Sequence, residues 1–452
     1  MPLTSRESAL KALNHFESVL QGKSKGEEFI SKLDHYISDL SSLDRKHYTM
    51  LVQGVLRWKN RIDSIIGEFS HHKLSKIDRT SLNALRIGIL ELTYLSKIPP
   101  YAAVNEAVNL AGSKNQKAKA FVNGVLRQII REKERIPLIP KVKDTMDCIE
   151  NSLSYPSWFA ELLLDNFGKE QALKGAMSLN EEEPLTLRVN RLKTTKKELL
   201  DSLRSKADLK ESDWVETAIC VPNGISNIVQ LEEYKNGHFY IQNGSSQIVA
   251  KLLDSRKGDK ILDVCSAPGG KSTHLAELTG DTARIYAMDL NEKKLGLIME
   301  NCARLGIKNI FTVKGDAVKP LPSNLPKEFD KIFVDPPCSA LGTIRKNPEA
   351  KWLKNPSDIQ RLKGLQSRIL NNACKYLKTG GVLLYSVCTF TKEETFEAAE
   401  KFLLNNNNFS IDPIKQVEGI KIDQFITKEG FLFIPPFFRD LEPFFAARFY
   451  KT

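Results

Sequence analysis

Residues 260–271 read KILDVCSAPGGK, in which a short apolar run passes directly into a loop with two adjacent glycines. A helical pattern begins near Ser272, so the loop joins the end of a strand to the start of a helix. Glycines there let the backbone approach a ligand closely, and a helix N-terminus offers unpaired N–H donors. A β-rich run followed by a helix is typical of a parallel sheet with crossover helices. The stretch therefore predicts a ligand-binding α/β domain.

Further short, β-rich apolar runs predict the other strands of this sheet. With 260–264 as the first strand, the others are 284–288, 310–313, 331–334 and 382–385. Ligands of open α/β sheets bind just beyond the carboxyl ends of the strands. We therefore expect the site among the residues that follow these runs.

Two aspartates follow the second and third strands. Asp289 lies 19 residues after Gly270, where a carboxylate can accept hydrogen bonds from both ribose hydroxyls. Asp316 follows the third strand, where a carboxylate can accept from an adenine amino group. Together they predict a nucleoside-bearing cofactor.

Two other nucleotide-binding readings compete for this loop. Gly270-Lys271-Ser272 ends like a phosphate-binding P-loop, and residues 332–335 resemble the magnesium-holding strand of an ATPase, but Cys265 stands where the first P-loop glycine belongs. A dinucleotide site would need GxGxxG, which the loop lacks. An ATP-driven RNA-remodelling protein is therefore the weaker hypothesis.

The fourth and fifth strands are each followed by a cysteine, Cys338 after Asp335-Pro336-Pro337 and Cys388 after residues 385–387. Carbon 5 of cytosine is a poor nucleophile, so an enzyme adds a thiolate to carbon 6 and creates an enamine that attacks a sulfonium methyl. Asp335 is placed to hydrogen-bond the base edge and stabilise the charge that develops. One alternative is that these cysteines are buried packing residues. Another is suggested by amino-group methyltransferases, which have a DPPx tetrad with an aromatic residue in the place of Cys338.

Composition favours a polyanionic partner. The chain has 66 Lys and Arg against 55 Asp and Glu, a net charge of +11, and residues 1–150 hold 24 of the former and 17 of the latter. Clustered cations bind nucleic acid because neutralised phosphates release counterions. A basic surface that serves only solubility is the alternative.

Several classes of protein are disfavoured. No run approaches the ~20 apolar residues of a membrane span, and the amphipathic start MPLTSRESALKALNHF lacks the apolar core of a signal peptide, so a cytoplasmic protein is expected. The seven cysteines show no zinc-ligand spacing, so neither a metal site nor a disulfide framework is expected.

The length of 452 residues predicts several domains. Apolar residues recur at the helical period within 44–69, 81–95, 102–111 and 121–131, which predicts an all-α domain over residues 1–136. Residues 137–153 are expected to be a linker, residues 154–234 a small α+β domain, and residues 235–452 the α/β domain.

These motifs closely resemble those of the RNA cytosine-5 methyltransferase family. The matching segments are CSAPGGKS (265–272), DPPCS (335–339) with GTIRKNPEAKW (342–352), and YSVCTF (385–390) followed by Glu393 and Glu394. The resemblance implies a Rossmann-like class I methyltransferase with S-adenosylmethionine as methyl donor. It implies that Cys388 is the nucleophile and Cys338 assists product release, with Asp335 and Lys271 as further catalytic candidates. The implied cofactor-binding residues are Cys265, Ser266, Ala267, Pro268, Gly269, Gly270, Lys271, Asp289, Asp316 and Asp335.

The front helices resemble the NusB fold. The resemblance rests on residues 43–58, 85–95, 98–111 and 121–128. A NusB-like domain ahead of this catalytic domain, with an RRM-like or ferredoxin-like unit between, is similar to bacterial enzymes that act on 16S ribosomal RNA, which implies small-subunit ribosomal RNA as the partner and neither DNA nor a membrane. Transfer RNA as substrate, and a non-catalytic RNA-binding or antitermination module, are the alternatives.

The chain departs from the family pattern at three places near the expected base pocket. Val387 replaces a threonine before the nucleophile, Ala340 stands where glycine is common, and Glu442-Pro443 replaces a typical Asp-Gly. None of these changes removes a reacting group. They leave open the shape of the base pocket.

Overall fold

A computed structural model of the chain describes residues 3–33, 35–95, 97–112 and 115–452. Contacts within it divide the chain into two units. The first runs to Asn180 and takes in the distant segment Asn347–Leu353, and the second contains Glu181–Lys346 and Lys354–Thr452. The domain limits drawn from the sequence stay predictions.

The first unit is all helical in its described residues, as the apolar periodicity predicted. Its longer helices are Ser5–Leu20, Gly26–Lys32, Ser42–Arg57, Lys59–Ser70, Arg79–Thr93, Pro100–Leu110, Gln116–Arg131 and Ser157–Leu179, with shorter turns at Thr145–Asp147, Cys148–Ser152 and Ala350–Leu353. Apolar side chains from residues 9–136 meet in one core.

The amphipathic stretch 44–69 divides into two helices at Trp58. The backbone there leaves the helical region, with φ −110° and ψ 19°, and the Trp58 ring stacks on Tyr94 at 5.1 Å between centroids. Both helices bury their apolar faces in the same core. The stretch predicted from one helical period is therefore two helices that share a core.

The segment Asn347–Leu353 is anchored in the first unit by a buried lysine. Lys351 Nζ donates to the carbonyl of Arg57 at 2.9 Å and to Oδ1 of Asn180 at 3.3 Å, and it lies 4.0 Å from the ring centroid of Tyr155. Burial lowers the pKa of Lys351 well below its usual value. Trp352 adds a bond from its indole N–H to the carbonyl of Leu56 at 2.7 Å.

The second unit begins with a small antiparallel sheet in the order β2-β3-β1-β4. Its strands are β1 Leu185–Val189, β2 Lys210–Glu211, β3 Ala218–Val221 and β4 Phe239–Ile241, with helices Lys196–Leu203 and Glu232–Lys235. The α+β character predicted for this region is confirmed.

A larger sheet follows, in the order β10-β12-β9-β8-β5-β6-β7, with β11 paired to β12. Its strands are β5 Lys260–Val264, β6 Arg284–Asp289, β7 Ile310–Lys314, β8 Phe329–Val334, β9 Leu377–Val387, β10 Phe409–Ile411, β11 Leu432–Ile434 and β12 Phe444–Lys451. Strands β5 to β9 pair in parallel, and β12 runs antiparallel to β9. The five strands predicted from the sequence are all present.

Helices cover this sheet and confirm its α/β class. They are Gly244–Leu252, Gly270–Leu278, Glu292–Leu305, Pro356–Ala373 and Phe396–Asn405. Apolar residues of the strands and helices form two cores. In the described part of the chain, no helix is both long and apolar enough to cross a membrane.

A buried arginine joins the small sheet to the larger one. Arg188 on β1 is fully buried, and its guanidinium forms two bonds to Glu277, at 2.7 and 3.0 Å. It also donates to Gln242 Oε1 and to the carbonyl of Gly270, both at 2.7 Å. Such a bidentate, charge-assisted contact is strong and also fixes the orientation of the two side chains. The start of the helix Gly270–Leu278 is thereby held against β1.

A second buried arginine organises the first unit. Arg86 is 3% exposed and forms two bonds to Asp63, at 2.7 and 2.8 Å, and one to Glu17 at 2.5 Å. Burial by itself would raise the pKa of Asp63, but the arginine outweighs burial and lowers it. This contribution to stability is therefore present above the usual carboxyl pKa and is lost as the pH falls below it.

We expect Arg86→Leu to lower the free energy of unfolding of the first unit by about 3–5 kcal/mol, because it removes the guanidinium from two poorly solvated carboxylates and leaves Asp63 with Lys59 alone. Urea unfolding followed by tryptophan fluorescence measures this, since Trp58, Trp158 and Trp352 belong to this unit. Exposed Arg127 provides the control, because Arg127→Leu should change stability by no more than about 0.5 kcal/mol. Equal effects of the two substitutions would contradict this assignment.

Candidate active site

The carboxyl ends of β5, β6, β7, β8 and β9 surround a cavity of about 440 Å³, which we call the first cavity. It brings together candidates that lie far apart in the sequence. Those lining it are Cys265, Ala267, Asp289, Asp316, Asp335, Cys338 and Cys388. The prediction that the site lies beyond these strand ends agrees with this placement.

The loop after β5 turns sharply to reach the following helix. Cys265 has a positive φ of 63° and Gly269 one of 95°. A Cβ on Gly269 would lie 3.1 Å from side-chain atoms of Ile298, so glycine suits both the conformation and the close packing. The backbone N–H of Ser266 donates to the carbonyl of Met288 at 3.1 Å, which ties the loop to the end of β6.

The two predicted cofactor carboxylates are held differently. Asp289 accepts from the backbone N–H groups of Ala267 at 3.2 Å and Asn291 at 2.9 Å. Asp316 accepts from the backbone N–H of Val318 at 3.1 Å, and Lys319 lies 3.7 Å away. Both carboxylates line the first cavity at the ends of neighbouring strands.

The first cavity suits a nucleoside-bearing cofactor. It combines these two carboxylates with apolar walls from Met288, Leu365 and Ile369. A ribose supplies hydroxyl donors for a carboxylate, and an adenine ring suits apolar walls. The residues present therefore fit S-adenosylmethionine.

Lys271 and Asp335 form an ion pair at the ends of β5 and β8, with 15% and 28% of their side chains exposed. The other Asp335 oxygen accepts from the Ser386 hydroxyl at 2.9 Å. Burial disfavours the ammonium, but Asp335 outweighs burial and raises the pKa of Lys271. Lys271 therefore remains a cation at neutral pH.

The sulfur atoms of Cys338 and Cys388 lie 3.3 Å apart. This juxtaposition follows from the parallel pairing of β8 and β9, which places both strand ends side by side. The contact with Cys388 and then burial raise the pKa of Cys338 well above its usual value. Cys338 is therefore a neutral thiol at physiological pH.

A buried glutamate holds both cysteine loops. Glu394 is fully buried and accepts from the backbone N–H of Ser339 at 2.8 Å, from Gln366 Nε2 at 2.9 Å and from the Thr391 hydroxyl at 2.9 Å. Gln366 also donates to the carbonyl of Pro337 at 3.0 Å. These contacts fix the loop after β8 relative to the loop after β9.

Reasoning from the sequence assigned no function to Glu394, Gln366 or Ser386. Ser386 had a readable signal, because it is a polar residue in an otherwise apolar strand, two positions before Cys388. Glu394 was noticed only as an acidic residue of a matching segment. Gln366 lies within the helix Pro356–Ala373 and has no local signal that relates it to the site.

All but one of the remaining predicted site residues line a second cavity of about 290 Å³, which we call the second cavity. Ser266, Pro268, Gly270 and Lys271 line it, Ala267 and Asp335 line both cavities, and Gly269 lines neither. The functional roles assigned to individual residues stay predictions.

Buried Asp263 also lines the second cavity, and the sequence reasoning missed it. One of its oxygens accepts from the Ser272 hydroxyl at 2.5 Å, and the other has no hydrogen-bond partner in the described structure. Burial raises the pKa of Asp263 to about 7. Its only sequence signal is an acidic residue inside the apolar strand β5.

Three family models match the chain. They are the 16S rRNA methyltransferase RsmB/F over residues 250–450, the NusB family over residues 3–131, and the ferredoxin-like domain of RsmF/B-like methyltransferases over residues 155–226. The predicted order of a NusB-like, a ferredoxin-like and a class I methyltransferase domain is confirmed.

Relatives match along most of the chain. A probable ribosomal RNA small subunit methyltransferase B from Bacillus subtilis is 34% identical over 92% of this chain and 92% of its own length. The crystal structure of a methyltransferase homolog from Pyrococcus horikoshii is 29% identical, with a TM-score of 0.59 over 69% of this chain and all of that one. The structure of NSun6 from the same organism with SFG is 24% identical, with a TM-score of 0.57 over 66% of this chain and 98% of that one, a likeness of fold.

Gly342 controls the approach of the two cysteine loops. Its N–H donates to the carbonyl of Cys388 at 3.1 Å, and a Cβ there would lie 2.9 Å from that carbonyl oxygen and closer still to the carbonyl of Pro443. We expect Gly342→Ala to lower kcat for methyl transfer about tenfold to a hundredfold, because it displaces Cys388.

The control is Gly364→Ala on the helix Pro356–Ala373, where an added Cβ meets no atom within 4 Å. This variant should keep wild-type activity and unfold at an equal or slightly higher temperature. Equal kcat values for the two variants, both folded, would show that the approach at Gly342 does not position the Cys388 loop.

Proposed function

This chain belongs to the 16S rRNA methyltransferase RsmB/F family, and we propose that it methylates carbon 5 of a cytosine in 16S ribosomal RNA through a covalent adduct with Cys388. It is an RNA methyltransferase with S-adenosylmethionine as methyl donor. The choice of atom, the covalent step and the small-subunit target are the parts we propose.

One observation carries the proposal, namely the 3.3 Å separation of the Cys338 and Cys388 sulfur atoms on the wall of the first cavity. Methylation of an exocyclic amino group needs no thiol, because that nitrogen attacks the methyl group itself. Carbon 5 of cytosine becomes nucleophilic only after a nucleophile adds to carbon 6. A cysteine beside the cofactor cavity supplies that nucleophile.

Cys388 is assigned the addition because it ends β9 beside the first cavity and its loop is held by Gly342 and Glu394. Asp335 faces the base edge at ring nitrogen 3 and the amino group, where charge develops as the thiolate adds. Lys271 pairs with the Asp335 carboxylate and thereby orients it. S-adenosylmethionine, when bound in the first cavity, supplies an electrophilic methyl group.

Cys338 is assigned to product release. After methylation, carbon 5 loses its proton to a base and the bond between carbon 6 and the Cys388 sulfur breaks. The raised pKa of Cys338 keeps its thiol proton in place at neutral pH. At 3.3 Å, that proton stabilises the departing sulfur through a hydrogen bond.

The RNA target is supported by charge and by relatives. The net charge of +11 favours a polyanion. The relative from Bacillus subtilis carries the name of a small-subunit ribosomal RNA enzyme and matches 92% of this chain. These observations favour small-subunit ribosomal RNA over transfer RNA.

The test is methyl transfer from labelled S-adenosylmethionine to unmodified small-subunit ribosomal RNA, followed by nucleoside analysis. Wild type should form 5-methylcytosine, and Cys388→Ser should reduce the rate by at least about a thousandfold because the nucleophile is lost. Cys338→Ala should accumulate an RNA–protein adduct that survives denaturing electrophoresis.

Cys302→Ala is the matched control, because Cys302 is buried in the same unit and lines neither cavity. It should keep activity and form no adduct. Label in transfer RNA alone would replace the proposed substrate, label on another atom of cytosine would overturn the covalent route, and no label in any RNA would favour a binding module.

A further inference from the structure

The second cavity lies beside the reaction centre, and the proposed mechanism leaves most of it unused. It shares only Ala267 and Asp335 with the first cavity, and Cys388 does not line it. Besides Asp263, Lys346 and the loop that follows β5, its walls come from the small sheet and from the residues that follow β4. Because the target cytosine must reach Cys388, this cavity takes a different part of the substrate.

Polar groups without partners converge on this cavity. In the described part of the chain, the Tyr240 hydroxyl and Gln242 Nε2 form no hydrogen bond, and the second oxygen of Asp263 forms none either. Buried polar groups are usually satisfied, so the unpaired oxygen of buried Asp263, beside the Tyr240 hydroxyl and the Gln242 amide on the same wall, indicates a ligand with complementary donors and acceptors.

The cations on the cavity wall are already neutralised. Lys271 is paired with Asp335. Lys346 lies 3.2 Å from Glu183 and 3.1 Å from Glu442, whose side chains are 7% and 1% exposed. A phosphate would have to compete with buried carboxylates for either lysine, so the cavity suits a neutral polar group.

The Glu442-Pro443 departure from the family pattern acts on this same cavity. The Glu442 carboxylate accepts from the Asn243 side chain as well as contacting Lys346, and both of those residues line the cavity. The Ser245 hydroxyl fixes the Glu442 backbone carbonyl at 2.7 Å. Glu442 therefore positions two residues of the cavity wall, Asn243 and Lys346.

We infer that the second cavity binds the nucleoside next to the target cytosine in the RNA strand, and that it recognises the ribose 2′-hydroxyl and base edge through hydroxyl, amide and carboxyl groups rather than through cations. This inference rests on the proposed function. A 2′-hydroxyl both donates and accepts, which matches the unpaired groups of Tyr240, Gln242 and Asp263. The cavity would thus contribute to selecting the sequence context and RNA over DNA.

The test compares Tyr240→Phe with the control Tyr234→Phe on an unmodified small-subunit ribosomal RNA fragment that contains the target cytosine. Tyr234 belongs to the same unit but does not line the cavity. Loss of one hydrogen bond should raise KM for RNA about fivefold in Tyr240→Phe, with kcat within about twofold of wild type. The dissociation constant of S-adenosylmethionine should be unchanged, and the control should match wild type.

Fragments with one 2′-deoxy or abasic nucleotide on either side of the target complete the test. At one neighbouring position the change should raise KM of wild type about fivefold but have little further effect in Tyr240→Phe, because substrate and protein then lack the same contact. The KM ratio of variant to wild type should not depend on salt, since no phosphate contact is involved.

A Tyr240→Phe variant indistinguishable from the control would overturn the inference, as would full additivity at every position or a steep salt dependence of the KM ratio. Wild-type methylation of cytosine in the same assay separates these outcomes from failure of the proposed function. If wild type methylates cytosine and Tyr240→Phe has the same KM as the control, only the assignment of the second cavity is wrong.

Discussion

The ion pair between Lys271 and Asp335 is the contact on which the arrangement of the site depends. It joins the helix that follows the cofactor loop to the end of β8, and Ser386 extends it to β9. One carboxylate thereby ties this helix to two neighbouring strand ends. Because this pair is largely shielded from solvent, it is screened less than a surface pair.

The same pair separates two environments. The first cavity combines carboxylates, apolar walls and two thiols, which suits a nucleoside cofactor and a reacting carbon. In the second cavity the lysines are paired with carboxylates, and hydroxyl, amide and carboxyl groups are left unpaired, which suits recognition of a polar nucleoside. Asp335 lines both, so the group proposed to face the reacting base also borders the surface proposed to read its neighbour.

The cysteines depend on support from outside their own motifs. Glu394 and Gln366 hold the loops after β8 and β9, and Gly342 lets those loops approach closely. An unpaired carboxylate in that interior would be costly, so the donors around Glu394 are needed for its burial. The geometry of the thiols is therefore a property of the helix and both loops together.

The sequence by itself determined the fold class, the five parallel strands and the residues at their ends, because strand periodicity, glycine loops and apolar runs are local patterns. It also placed Cys338, Cys388 and Asp335 at one edge of the sheet, since parallel strands end side by side. Only the tertiary structure decided how Asp263, Gln366, Glu394 and Lys351 are used, because their partners are distant in sequence and no local pattern encodes them. The break at Trp58 and the second cavity belong to the same group, since both arise from packing between elements.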